Sequence, residues 1–389
     1  MPTASSRTTG SRSSSRGAEL PLALRALLEV GWSLAGRAPS ARVGLARAAG
    51  LVDPEAIPPE IREPVVRELE AARAAACEPL DARTIERALP ANAIDDFDPE
   101  PLAVRAAAQT HRGTVAGRPV AIRVQRPGLE RAVRNDLALL DALAPALGAA
   151  LPNADTRTLL RAGREQLLDE LDFEHEASTH RRVARALRGI DGLVVPRVHG
   201  DLCTETLFVA DLLDGRALAD GARPADPAAA AQGLVQAHVV AAQAGLALMD
   251  ARPGHVLVLD DGRIGLLGAG IARPVDRARV DRALAAAAAI RAGDAAGFAD
   301  AVAELVPAAA YGVARAALGP LATGRARLDA SALRAAAEVA PRGFGLIAEA
   351  RPQPDDLWLG RAAGQLAATL AVLGAEHDWL ALLASSAHR

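Results

Sequence analysis

The chain has 389 residues, enough for one large hydrophobic core or two coupled ones, and its mix of apolar and charged residues is typical of a soluble globular protein. A formal net charge of −3 gives no reason to expect nucleic acid as a partner. All 44 basic residues are arginines, so the composition excludes any site that needs a lysine, such as a Schiff base or an ammonium group on ATP phosphates. Cys77 and Cys203 lie far apart in the sequence, which favours a reducing compartment over a disulfide framework.

Two stretches bear on targeting and membranes. Residues 1–17 are rich in Ser, Thr and Arg and contain no apolar segment, so a disordered tail is favoured over a signal or transit peptide. The uncharged span from Pro227 to Met249 contains three glutamines and a histidine, which favours a buried helix over a membrane span. We therefore expect a cytoplasmic protein with no transmembrane segment, and peripheral contact with a membrane stays open.

The N-terminal part of the chain changes from helical to strand patterns. From Ala18 to about Leu89 apolar residues recur with helical spacing, interrupted by Pro58-Pro59, which predicts a layer of helices ahead of the main domain. The acidic, proline-bounded stretch from Asp95 to Pro101 predicts a loop. After a turn at Gly117-Arg118-Pro119, residues Val120 to Val124 are predicted to form a strand.

The middle of the chain mixes both patterns. Helical spacing runs from Leu129 to Leu151 and again, as one long helix, from about Asp155 to Leu187. In that helix His175 and His180 do not share a face and are interpreted as surface residues. Two predicted strands follow, Val194 to Val198 and Leu207 to Leu212. Since helix patterns dominate the rest of the chain, we predict an α+β fold with two lobes.

A β-hairpin is predicted between Asp250 and Gly270, because two short apolar runs flank the turn Asp260-Asp261-Gly262. In kinase phosphotransfer centres a catalytic Asp and a metal-binding Asn precede such a hairpin, and a metal-binding Asp follows it. Asp250 matches the catalytic Asp, but His255 stands where the Asn is expected and Gly268 where the second Asp is expected. The pattern therefore predicts kinase geometry without the usual metal chemistry.

Four segments of the chain carry a joint pattern: Val120 to Gly128 (V-A-I-R-V-Q-R-P-G), Glu170 to Ala177 (E-L-D-F-E-H-E-A), Val195 to Val198 (V-P-R-V), and the Pro253-Gly254 turn with its hairpin. Together they resemble the UbiB/AarF family of atypical kinase-like proteins. The resemblance implies a bilobal protein-kinase-like fold with a helical N-terminal extension and a mainly helical C-lobe. It divides the chain into a tail (1–17), the extension (18–98), an N-lobe (99–215) and a C-lobe (216–389).

The resemblance also assigns candidate site residues. The family's strand lysine falls on Arg123 and its helix glutamate on Glu176, and we expect these two to form a salt bridge rather than to bind phosphate. The family's alanine-rich phosphate loop falls on Ala103 to Gln109, which makes Ala106 and Ala107 cofactor-binding candidates. Asp211 lies in the linker that would offer backbone groups to adenine, and Asp250 is the candidate catalytic residue.

Other family positions are altered. The K-x-G-Q signature of the extension falls on Leu34-Ala35-Gly36-Arg37, where only the glycine remains. Glu170 and Asp172, at the family's E-x-D, therefore lose that partner, and we expect them to be solvated or locally paired. Mg²⁺ prefers oxygen ligands in octahedral geometry, so His255 and Gly268 predict a poor metal site.

Family members bind adenine nucleotides and support isoprenoid quinone and other lipid biology. The resemblance, with its altered residues, implies a pseudokinase that acts by binding ATP or ADP without turnover, a lipid or quinone precursor, or a partner protein. Two alternatives stay open. One is an active atypical kinase or ATPase that uses Arg123 and Asp250, and the other is a helical scaffold with no nucleotide site.

Overall fold

A computed structural model describes residues 79–90, 93–105, 107–140 and 144–387, together with residues 63, 66 and 67. The predicted tail, most of the predicted helical extension and Leu34-Ala35-Gly36-Arg37 lie outside the described residues, as does Ala106. The predicted boundaries of the extension and the two lobes stay predictions.

The N-terminal sheet follows from the alternation of apolar residues along its strands. Its strands are β1 (Asp96–Val104), β2 (Ala108–Val115), β3 (Arg118–Gln125) and β5 (Leu207–Asp211), all antiparallel in the order β1-β2-β3-β5. On β3, Val120, Ile122 and Val124 point to one face and are buried with Ile85 of helix α1 (Ala82–Ala88). The predicted strand at Val120 to Val124 is confirmed, and the alternation places Arg123 on the opposite face.

Two expectations for this sheet were wrong. The stretch from Asp95 to Pro101 is mostly strand β1 rather than a loop. Proline is tolerated there because β1 is an edge strand, and its register shifts between Phe97 and Pro101 and again between Pro101 and Ala103. The turn between β2 and β3 was predicted at Gly117-Arg118-Pro119. It is at Ala116-Gly117, where both residues have positive φ (48° and 71°), and Arg118 already belongs to β3.

The predicted long helix from Asp155 to Leu187 is two helices, α4 (Thr156–Asp169) and α5 (Phe173–Ala186); α2 (Leu129–Leu140) and α3 (Ala144–Ala150) precede them. The chain breaks at Glu170 to Asp172 because the Asp172 carboxylate caps α5, accepting hydrogen bonds from the backbone N–H groups of Glu174 and His175 at 2.9 and 3.0 Å. Because the chain changes direction at this break, the acids of the two helices have different partners: Asp169 of α4 pairs with Arg273, and Glu176 of α5 pairs with Arg123.

The prediction for His180 was also wrong. His175 is exposed, but His180 is buried on the inner face of α5, with its Nε2 2.9 Å from the Pro196 carbonyl oxygen. The five-residue spacing placed the two side chains on different faces and did not indicate which face would be covered.

The C-terminal part contains the predicted hairpin, which is confirmed as β8 (Val256–Leu259) and β9 (Ile264–Leu266). Gly262 closes its turn with φ of +85°. The hairpin belongs to a sheet of order β4-β9-β8-β6, with β4 at Leu193–Val194 and β6 at Gly215–Ala217. Two further pairs of short strands interrupt the helical pattern: β7 (Leu246–Leu248) with β10 (Ala272–Pro274), and β11 (Ala326–Arg327) with β12 (Glu376–His377).

Helices surround this sheet. They are α6 (Pro227–Gln243), α7 (Arg277–Ala292), α8 (Ala295–Val302), α9 (Ala310–Leu318), α10 (Ala330–Val339), α11 (Phe344–Ile347), α12 (Pro354–Leu373) and α13 (Trp379–Ser386). α6 is a buried helix, as predicted, and packs against α12 and the hairpin in the largest apolar cluster. Among the described residues no helix is both long and apolar enough to cross a membrane. The architecture is the predicted α+β class.

Candidate functional site

Asp250 lies on the loop between β7 and a short 3-10 helix, Pro253–His255, and is only 2% exposed. Its Oδ1 is 3.1 Å from Arg252 Nε, and its Oδ2 is 3.0 Å from His255 Nδ1. A buried carboxylate is stable only when its charge is compensated, and the Arg252 guanidinium supplies a positive charge from the same loop. The candidate catalytic acid therefore lies between Arg252 and His255 of its own loop.

The hydrogen bonds of His255 indicate which of its ring nitrogens carries the proton. Arg252 Nη2 lies 2.9 Å from His255 Nε2, and an arginine can only donate, so Nε2 is the acceptor. The ring proton is then on Nδ1, which points at the backbone oxygen of Asp250 at 3.3 Å and at its carboxylate. The lone pair that a metal would need is occupied by Arg252.

Gly268, the position of the missing second acid, is the first residue of a 3-10 helix, Gly268–Gly270, that packs on this loop. A Cβ placed on Gly268 would lie 2.7 Å from the Asp250 carbonyl carbon and overlap its oxygen. No side chain fits there without a backbone shift. Among the described residues there is also no cluster of three or more His, Cys, Asp or Glu residues that could hold a metal ion. These residues do not fit Mg²⁺, which needs several oxygen ligands around one point.

Arg123 and Glu176 are in contact, as an ion pair between β3 and α5. The Arg123 guanidinium also lies between two aromatic rings, 4.3 Å from the centre of Phe173 and 4.6 Å from that of Phe208. Two of the five phenylalanines in the chain hold this one arginine. The Glu176 side chain is 5% exposed and the Arg123 side chain is 27% exposed, so the ion pair is largely buried.

The segment Gly268–Gly270 connects the two halves of the site. A Cβ on Gly270 would collide with the side chain of Glu176, just as one on Gly268 would collide with Asp250. The cavity beside Glu176 has a volume of about 10 Å³. That volume suffices for about one water molecule, whereas small-molecule sites usually enclose hundreds of cubic ångströms.

Glu170 has a partner that sequence reasoning missed. It is buried, with Oε1 2.8 Å from Arg361 Nη1 and 2.7 Å from Gln166 Nε2. It is thus not solvated, and its charged partner comes from α12, 191 residues later in the chain. Arg361 is the sole basic residue of α12, and a lone arginine in the mostly apolar part after the first-turn acids Asp355 and Asp356 is the signal that could have found it. Asp172 is locally paired, as expected, through its cap on α5.

The alanine-rich turn between β1 and β2 faces an apolar cluster. Ala107 is buried against Leu129, Val133 and Leu171, and its carbonyl oxygen accepts a hydrogen bond from the Arg126 backbone N–H at 3.0 Å. Ala106 lies outside the described residues. The cofactor-binding role of both alanines stays a prediction.

The linker residues make hydrogen bonds within the protein. The Asp211 N–H donates to the Arg197 carbonyl at 2.8 Å, and the Val209 carbonyl accepts from the His199 N–H at 2.9 Å. His199 Nε2 also lies 2.8 Å from Asp211 Oδ1. The backbone groups expected to face adenine are engaged by the segment that precedes β5. A cofactor-binding role for Asp211, like those of Arg123, Glu176 and Asp250, stays a prediction.

Comparison with known proteins supports the resemblance. The model of the "ABC1 atypical kinase-like domain" matches residues 83–302, more than half of the chain. "AarF domain-containing protein kinase 1" from Mus musculus is 32% identical over 127 residues, which cover 32% of this chain and 24% of that protein. "Probable protein kinase UbiB" from Vibrio atlanticus is 34% identical over 149 residues, 36% of this chain and 27% of that protein. The matched part spans only about a quarter of the length of these relatives.

A solved structure is similar over nearly the whole chain. It is the complex of Rv3197 with erythromycin from Mycobacterium tuberculosis, with a TM-score of 0.61, 21% identity, and coverage of 93% of this chain and 95% of that one. At 21% identity this similarity supports the fold alone. It agrees with the predicted kinase-like architecture, and the matched domain extends from α1 through α8. This chain belongs to the ABC1 atypical kinase-like family.

Proposed function

We propose that this protein is a pseudokinase, which acts by binding a partner protein and does not transfer phosphate from Mg·ATP. The observation that carries the proposal is the surroundings of Asp250, which is buried beside Arg252 and His255 of its own loop, while Gly268 leaves no space for a second acid. Phosphoryl transfer relies on metal ions and cations that neutralise charge in the transition state.

The size of the expected loss can be bounded. Each electrostatic element of this kind contributes a few kcal/mol to catalysis, so an altered metal site and a replaced lysine together raise the barrier by about 4 kcal/mol or more, roughly a thousandfold in rate. Arg123 does not compensate, because Glu176, Phe173 and Phe208 already hold its guanidinium. These changes do not prevent the protein from binding a partner, because such binding needs a folded surface and no catalytic metal.

Partners other than a protein are less well supported. The occupied backbone groups at Val209 and Asp211 argue against ATP or ADP. A lipid or quinone precursor fits the biology of the family relatives, but the described cavity beside Glu176 is lined mainly by charged and polar side chains, which do not favour it. We therefore place the protein partner first.

ATP hydrolysis with Mg²⁺ or Mn²⁺ tests the proposal directly. Wild-type protein, Asp250→Asn and the control Asp261→Asn, whose side chain lies on the exposed hairpin turn, should all match the buffer background. Turnover that is lost in Asp250→Asn and kept in Asp261→Asn would instead establish an active kinase or ATPase.

A thermal unfolding titration with nucleotide distinguishes a nucleotide-binding pseudokinase from one that binds only a partner protein. A ligand at about 100 times its Kd stabilises the folded state by about 2.7 kcal/mol. We expect no shift with ATP or ADP, with or without Mg²⁺. A saturable shift with nucleotide but no turnover would replace the protein-binding proposal by a nucleotide-binding pseudokinase.

A further inference from the structure

A group of exposed arginines lies on the outer face of α5 and on the segment that follows it. This basic surface consists of Arg181, Arg182, Arg185, Arg188 and Arg197. Among the described residues none of the five forms an ion pair with an acid, whereas other exposed arginines do, as Arg134 does with Glu130. Asp191 is the only acid in the sequence from Arg181 to Arg197, so this surface has a net positive charge.

The basic surface lies at one edge of the N-terminal sheet. β5 is the edge strand there, and the segment that carries Arg197 runs along its outer side, where the Asp211 N–H donates to the Arg197 carbonyl at 2.8 Å. Arg181 of α5 lies against the same segment, because a Cβ placed on Gly200 would be 2.5 Å from its Nη1. The arginines of α5 and Arg197 are therefore at the same edge of the sheet.

The opposite edge of the sheet is acidic. β1 carries Asp96, Asp98 and Glu100 at alternate positions and contains no basic residue. All three acids are exposed, and none forms an ion pair within the described part of the chain. Leu102, which is 46% exposed, follows them on the same strand. The strand order β1-β2-β3-β5 thus places opposite charges at the two edges of one sheet.

The two charged surfaces are similar in length. A strand rises about 3.3 Å per residue, so the acids from Asp96 to Glu100 span about 13 Å. A helix rises about 1.5 Å per residue, so the arginines from Arg181 to Arg188 span about 10 Å. Arginine and carboxylate groups form charge-assisted hydrogen bonds that are often bidentate. The acidic edge therefore fits the basic surface in both charge and extent.

The prolines of β1 decide how a partner meets this edge. Pro99 and Pro101 have no backbone N–H group, so the strand lacks two of the donors that an added strand would need. A partner therefore contacts the exposed side chains of β1 and does not extend the sheet.

We propose that copies of this chain associate head to tail, with the acidic edge of β1 in one copy on the basic surface of the next copy. The partner protein of the proposed function is then a second copy of the chain, and this inference rests on that function. Because the contact joins two different surfaces, repeated copies form rings or open chains. Since it relies on exposed charges, it weakens as the salt concentration rises.

A membrane surface fits the arginines less well. Peripheral membrane binding combines basic residues with apolar side chains that enter the lipid. The exposed large apolar residues of the described chain are Leu102, Leu267 and Leu357, and they lie on β1, on the loop after β9 and on α12. None is on α5 or on the segment that carries Arg197.

Sedimentation velocity of the full chain at two salt concentrations is the test. At about 0.01 M salt, where the screening length is about 30 Å, wild-type protein should contain species larger than the monomer. At about 1 M salt, where this length is about 3 Å, it should sediment as a monomer.

Two charge-reversal variants identify the contact. Arg182→Glu/Arg185→Glu removes the basic surface and Asp96→Arg/Glu100→Arg removes the acidic edge, so each variant alone should stay monomeric at low salt. Mixed in equal amounts they should form a dimer and no larger species, because each variant retains one intact surface. A mixture that stays monomeric, although the unfolding midpoint shows that both variants are folded, overturns the inference.

Arg157→Glu/Arg161→Glu is the matched control, because it reverses the same number of exposed arginines on α4. It should associate as the wild type does, and an equal loss of association would mean that net charge alone is responsible. A wild type that is monomeric at low salt also overturns the inference; if that monomer binds a polyglutamate peptide or anionic phosphatidylglycerol vesicles, the basic surface serves another partner. None of these results depends on ATP turnover, which alone decides the pseudokinase proposal.

Discussion

The two halves of the candidate centre depart from the kinase pattern in different ways. In the N-lobe, Arg123 stands in place of a lysine and still reaches Glu176. In the C-lobe, Gly268 stands in place of an acid, and the backbone has closed against Asp250 so that no side chain fits. The first change substitutes one cation for another, and the second removes a group together with the space it would occupy.

The difference has a structural cause. Arg123 and Glu176 are placed by β3 and α5, two regular elements whose positions do not depend on the identity of the cation. Gly268 and Asp250 are placed by two short loops that pack directly on each other, so a change in one is absorbed by the other. The N-lobe change is therefore reversible by one substitution, and the C-lobe change is not.

Gly268→Asp should have the largest effect. The new side chain would overlap the Asp250 carbonyl, so we expect a loss of about 3 kcal/mol or more in the free energy of unfolding, measured with urea. Gly312→Ala, in the open space on α9, should change stability by less than about 1 kcal/mol. A Gly268→Asp protein that is as stable as wild type would show that the C-lobe loss is reversible after all.

Glu176→Ala should come next. It leaves Arg123 between two rings without its carboxylate, and we expect a loss of about 2–3 kcal/mol, less than for a fully buried pair because Arg123 is 27% exposed. Glu130→Ala removes an exposed pair with Arg134 and should cost about 0.5 kcal/mol or less by the same measurement. Equal losses in both variants would mean that the Arg123 pair does not stabilise the N-lobe.

Acid should weaken the buried helix α6. Burial lowers the pKa of His238 from 6.5 to about 4. The unfolded chain takes up this proton near pH 6.5 and the folded state only near pH 4, so the stability is fully present at neutral pH and is lost as the pH falls. Between pH 7 and pH 5 this histidine should account for about 2 kcal/mol of unfolding free energy. His238→Gln, compared at both pH values, should remove that share; an unchanged pH dependence would contradict it.

Arg123→Lys should have the smallest effect. Lysine keeps the ion pair with Glu176 and loses the planar stacking on Phe173 and Phe208, which should cost about 1 kcal/mol. It also restores the residue type found in kinases. Because the metal side is closed by Gly268, we expect no ATP turnover from this variant; turnover would place the limiting loss in the N-lobe instead.

Much of the fold was predictable because its signals are local. The hairpin around Gly262, the strand that carries Arg123 and the buried helix α6 all follow from the spacing of residues that are neighbours in the chain. The errors were of another kind. Asp172 is a cap whose effect competes with helical periodicity, and the prolines of β1 are tolerated because that strand lies at a sheet edge. Edge and interior cannot be told apart before the strands are assembled.

For the candidate site, the amino-acid sequence alone identified the family resemblance, the missing lysine and the two altered positions at His255 and Gly268. Only the tertiary structure decided what became of them. It placed Arg361 on Glu170, closed the backbone around Gly268 and paired Glu176 with Arg123. The physical reason is that chemical groups can be read from the order of residues, whereas charge compensation and close packing depend on distances between segments far apart in the chain.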